Sequence, residues 1–105
     1  MRTSQTFRAM SALALALLAI LATFGSESRE LRGRSVPSKD GQTYLVVDDD
    51  NGGKCGPLLV DEKPWPHPIH TPGTITPGRH RIECGGWAEF NVEPATTFHF
   101  DYWGP

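Results

Sequence analysis

Cysteine is scarce in this chain, two in 105 residues. The pair is not spaced as Cys-x-x-Cys, which argues against a thioredoxin-like redox centre or a zinc knuckle. Positive charge is not in excess either: ten Lys and Arg face twelve Asp and Glu, a formal net charge of −2. That balance excludes the basic face that nucleic acid needs and the polybasic cluster that docks on anionic lipid. There is one long hydrophobic run, Ala9 to Phe24. Beyond it no segment keeps a useful 3.6-residue apolar period, and no internal repeat occurs.

The apolar run follows Arg2 and Arg8 and ends in small and polar residues. A basic head, an apolar middle shorter than the ~20 residues of a spanning helix, and a small-residue exit form the pattern of a secretory signal peptide. Residues 1–25 are therefore expected to be a signal helix, with Thr23 and Gly25 as the small residues before a cut at Ser26. The alternative is an uncleaved anchor, which would be the only membrane contact. Loss of Arg2 and Arg8 leaves eight cationic against twelve acidic residues, a formal charge of −4. The implied location is secreted or periplasmic, where an isolated pair such as Cys55 and Cys84 is expected to form a disulfide. In the chain-entropy view a loop of this length stabilises by about 3–4 kcal/mol. That is large beside the roughly 5 kcal/mol of a small domain.

Residues 26–41 are polar and charged, with few apolar side chains, and read as a flexible spacer. The domain is expected over 42–105. Gln42 to Val47 is nearly continuous in apolar residues and predicts a central strand. Leu58 to Val60 predicts a second. Pro64, Pro66, Pro68 and Pro72 exclude a helix and favour an extended connection. From Thr74 to Trp103 the side chains alternate: His80, Ile82 and Cys84, then Ala88, Phe90 and Val92, then Phe98, Phe100 and Tyr102 fall on one face. Pro77-Gly78, Gly85-Gly86 and Glu93-Pro94-Ala95-Thr96 supply the turns. The expected fold is all-β, a small antiparallel β-sandwich or meander stapled by one disulfide.

Gly56-Pro57-Leu58 after a strand, and Pro77-Gly78-Arg79-His80-Arg81-Ile82 opening a later one, resemble the PEGA-type domain, an extracytoplasmic β-sandwich. The resemblance covers Gln42 to Tyr102. The Pro-Glu-Gly-Ala tetrapeptide itself does not occur, and the cysteine pair is an addition. It implies a non-enzymatic appendage.

Individual motifs point the same way. Asp48-Asp49-Asp50-Asn51-Gly52 fails the calcium-loop pattern, with Gly52 at the fifth position and Leu59 at the twelfth, and suits a turn. His67 and His70 share a side of a polyproline segment but sit about 9 Å apart along it. A metal would need a third ligand from His80, His99 or Glu62. His80 falls on the inner face, where a backbone carbonyl is its expected partner. His99 neighbours Asp101, yet Ser26, Ser28, Ser35 and Ser38 all lie in the spacer and supply no nucleophile beside it. No catalytic residue and no cofactor is assigned. Trp65, Trp87, Tyr102 and Trp103 form the best binding candidates, because aromatics beside polar groups contact sugars and proteins. The expected role is a cell-envelope binding or structural module that contacts a protein or glycan. The alternative is a periplasmic metal-binding protein using His67 and His70.

Overall fold

A computed structural model describes residues 27–104; the expected signal segment lies outside them. Among the described residues there are nine strands and one short 3-10 turn, Asn51–Gly53. The strands are β1 (Ser28–Glu30), β2 (Gly33–Pro37), β3 (Tyr44–Val47), β4 (Leu59–Val60), β5 (Lys63–Pro64), β6 (Gly73–Thr74), β7 (Gly78–Glu83), β8 (Trp87–Val92) and β9 (Thr96–Phe100). They form two sheets, ordered β1-β2-β9-β3-β6 and β5-β4-β7-β8. The fold is all-β and sandwich-like. No helix among the described residues is long and apolar enough to cross a membrane.

Period-two patterning builds the core as expected. Leu45 and Val47 of β3 and Phe98 and Phe100 of β9 meet Val60, Ile82, Ala88, Phe90 and Val92 from the second sheet. Phe90 stacks on Phe98 with ring centroids 5.3 Å apart, and Phe100 meets Phe90 edge-on at 5.7 Å. These aromatic contacts join the sheets. Cys55 and Cys84 are disulfide-bonded, with Cα atoms 4.6 Å apart. Asn51 Nδ2 donates to the Cys84 carbonyl at 2.7 Å, which ties the acidic turn to the same corner.

Three expectations are corrected. Residues 26–41 are not a spacer throughout, because Ser28 to Pro37 form β1 and β2. Gly33 pairs with Phe100, Ser35 with Phe98 and Pro37 with Thr96. Gly33 is required here, since a Cβ at this position would collide with the His99 carbonyl. The meander also breaks after β8. β9 pairs with β2 and β3 in the other sheet. The 93–95 corner turns the chain away: Ala95 has φ 59°. Its N–H donates to Thr43 Oγ1 at 3.0 Å and its carbonyl accepts from Ser38 N–H at 3.0 Å. Finally, the sheets are not wholly antiparallel, because β3 runs parallel to β9. A parallel pair needs a long crossover, and everything between Val47 and Thr96 serves as one.

Candidate partner-binding surface

The four aromatic candidates occupy separate places. Trp103 closes the core: its ring meets Phe100 edge-on at 4.9 Å, and its Nε1 donates to the Asp49 carbonyl at 2.7 Å. Trp65 packs against the core from the proline-rich connection and lies 4.8 Å from the His67 ring. The two rings close over Gly73, where any Cβ would strike both. Tyr102 is exposed, with the Arg32 guanidinium 5.9 Å from its ring centroid. Trp87 differs from the rest: it is 58% exposed and stands on the outer face of the second sheet.

The surroundings of Trp87 follow from strand register. The Gly85-Gly86 turn places Glu83 opposite Trp87 and Arg81 opposite Glu89, so Arg81 lies diagonal to the indole on the same face. Its guanidinium sits 4.3 Å from the ring centroid, and Arg81 Nε donates to Glu83 Oε1 at 3.1 Å. Arg79 Nε donates to Glu89 Oε2 at 2.6 Å one step further along. Cation–π and exposed ion pairs each contribute only about 0.5–1 kcal/mol. Their effect is to hold the indole in one orientation. Alternation alone put Arg81 and Trp87 on one side; the register that stacks them comes from the turn.

The histidines are drawn into carboxylate networks. Asp48 accepts from two of them: His70 Nδ1 at 2.7 Å on one oxygen and His99 Nδ1 at 2.9 Å on the other. Burial pushes the Asp48 carboxyl up, but the hydrogen bonds from His70 and His99 outweigh it and hold the group below its ordinary value. His80 is buried. Its Nδ1 donates to Asp61 at 2.5 Å, and its Nε2 lies 2.7 Å from the Thr76 carbonyl, the backbone partner expected. Asp61 also accepts from the Arg81 N–H at 2.9 Å. Burial raises Asp61, while the Arg81 and His80 hydrogen bonds bring it below its ordinary value. His67 turns to Trp65 and His70 to Asp48, so the structure does not bring together the pair considered for metal. Among the described residues no three His, Cys, Asp or Glu side chains converge as a metal-binding group.

Sequence reasoning missed Asp48 as the shared acceptor of two histidines, and it missed Leu31, 80% exposed at the tip of the β1–β2 hairpin. No local signal marks Asp48, because its partners lie 22 and 51 residues away. No family model matches the chain, and neither a curated protein nor a solved structure does.

Proposed function

We propose that this protein is a non-enzymatic, extracytoplasmic module of the cell envelope that binds a protein or glycan through the outer face of its second sheet, with Trp87 as the anchor. The observation that carries the reading is an indole 58% exposed yet held in place by Arg81. An exposed tryptophan costs solubility, and one fixed beforehand loses little entropy when covered. Glu89 and Asn91 on the same face add hydrogen-bonding groups beside it.

Support for a non-enzymatic role comes from where the reactive side chains go. His70, His80 and His99 are committed to structural carboxylates, and both cysteines to the disulfide. The resemblance to PEGA-type domains, and the signal-like start with its disulfide pair, support the compartment.

The test is retention of the disulfide-bonded protein on peptidoglycan sacculi and on immobilised envelope proteins, wild type beside Trp87→Ala. Retention on one of the two matrices, reduced at least tenfold in a variant with an unchanged far-ultraviolet spectrum, is expected. Equal retention of both proteins overturns the role of Trp87. Retention on neither matrix overturns the binding reading.

A further inference from the structure

β8 is an edge strand, and the direction of its backbone groups follows from its neighbour. On β7 the Arg81 carbonyl accepts from the Asp61 N–H at 2.8 Å, and the Arg81 N–H donates to the Asp61 carboxylate at 2.9 Å. Both backbone groups of Arg81 thus point toward the β4 side, away from β8. Arg81 lies opposite Glu89. In an antiparallel ladder the residue opposite a position that faces away also faces away. The N–H and C=O groups of Glu89, and of Trp87 and Asn91 in the same phase, are therefore directed to the open edge. The Cys84 N–H bond to the Gly86 carbonyl, 2.9 Å, agrees with that phase. Among the described residues β8 pairs with β7 alone. Most edges are short or covered; this one is six residues long.

A groove of about 130 Å³ runs beside the edge, between β8 and the tip of the β1–β2 hairpin. Phe90 and Phe98, two core residues, contribute to its lining, and Leu31 stands at it 80% exposed. Along β8 the outward side chains are Trp87, Glu89 and Asn91, with Glu93 next in phase, so the row is aromatic and acidic. Arg79, which with Arg32 also lines the groove, places both its donors on Glu89 Oε2, and among the described residues Glu89 Oε1 has no hydrogen-bond partner to compete with a second cation.

We propose that β8 receives an extended strand from a partner protein, with apolar residues on one face of that strand and basic residues on the other. The strand would hydrogen-bond to the outward groups of Trp87, Glu89 and Asn91. Its apolar side chains would cover Leu31 and the Phe90–Phe98 groove, and its basic side chains would sit opposite Glu89 and Glu93. Addition of a strand to an exposed edge takes affinity from the ladder and specificity from alternate side chains. This inference rests on the reading of Trp87 as part of a partner surface and names the partner's form.

The probe is a synthetic hexapeptide of alternating lysine and valine, capped at both ends, added to the disulfide-bonded protein. Amide hydrogen exchange is followed residue by residue. The amides of Trp87, Glu89 and Asn91 are expected to slow at least tenfold, while those of Ala88, Phe90 and Val92, already bonded to β7, report that the fold is intact. A peptide N-methylated on its pairing edge, or one with glutamate for lysine, is expected to give less than a tenth of the effect. Glu89→Pro removes an outward N–H without touching the β7 ladder and is expected to abolish protection; Glu89→Lys is expected to weaken it about tenfold. If Trp87→Ala weakens retention on the envelope matrices while the three amides stay unprotected by the peptide, strand addition falls and the Trp87 reading stands. Protection equal for the N-methylated peptide, or equal in Glu89→Pro, overturns the proposal. So does concentration-dependent protection of these amides in the protein alone, which would assign the edge to a second copy, and so does protection produced by sacculi glycan in place of peptide.

Discussion

The two sheets differ in how their borders are finished. The five-stranded sheet ends in β1 and β6, three and two residues long. Beside it Arg29 pairs with Asp101, and Asp48 with His70 and His99. The four-stranded sheet has a two-residue border at β5 but a six-residue border at β8, and it carries the exposed indole. One sheet ends in short borders. The other is fastened covalently at the Cys55–Cys84 corner and left open along β8. In a domain this thin, a partner surface is available only where the fold does not need the residues itself.

The largest break in that comparison would come from the layer the sheets share. Phe98→Ala is expected to cost about 3–5 kcal/mol, most of the stability of a small domain, and to leave the protein marginally folded at 25 °C, with a steeply lowered urea midpoint followed by circular dichroism. A folded variant with an unchanged urea midpoint would mean that the Phe90–Phe98 stack does not couple the sheets. Next is the covalent fastening. Reduction, or Cys55→Ser with Cys84→Ser, is expected to cost about 3–4 kcal/mol, read as a lower urea midpoint at the same slope. An unchanged midpoint would remove the distinction between a stapled and an unstapled sheet.

A smaller effect is expected where the first sheet is held by a carboxylate. Asp48→Asn replaces a charged acceptor serving two imidazoles and is expected to cost about 1–3 kcal/mol, a melting shift of roughly 4–24 °C for this size. The same bonds set a pH dependence. Asp48 and Asp61 titrate below their unfolded values in the folded protein. Their stabilisation is therefore full above about pH 4 and is lost as pH falls through the folded values. Urea midpoints measured between pH 6 and pH 2 should fall only at the acid end, and Asp48→Asn should flatten that fall. A midpoint that drops between pH 6 and pH 5 would point to other groups. The smallest effect is Trp87→Ala, expected to change stability by less than about 0.5 kcal/mol because the side chain is mostly in solvent. A loss above 2 kcal/mol would make the indole a roof over the sheet and close the comparison.

The parts of this fold legible in the sequence are those with local causes. Alternation from His80 to Phe100 assigned the inward faces correctly, Gly85-Gly86 marked the β7–β8 turn, and the cysteine pair predicted the disulfide. What escaped has partners far along the chain. Gly33 to Pro37 looks like a linker by composition, and its strand character comes from β9, whose residues supply its ladder and the carbonyl beside Gly33. The hairpin rule placed β9 beside β8, yet the Ala95 carbonyl accepts from the Ser38 N–H and the Ala95 N–H donates to Thr43 Oγ1, which holds the corner and sends the chain to the other sheet. The site was legible to the same extent. Trp87 was assigned to an outer face by phase, whereas the open ladder beside it depends on which strand borders the sheet.

The parallel pairing of β3 with β9, and the pairing of β2 with the same strand, bear on when the protein can fold. Three of the four other strands of that sheet come from residues 28–47, but the strand that orders them is Thr96–Phe100. A nascent chain must hold β2 and β3 without the strand that joins them until β9 arrives. Contacts of such long sequence separation place a domain among the slow folders, at milliseconds to seconds. That interval makes acquisition of the first sheet a late event in the life of each molecule.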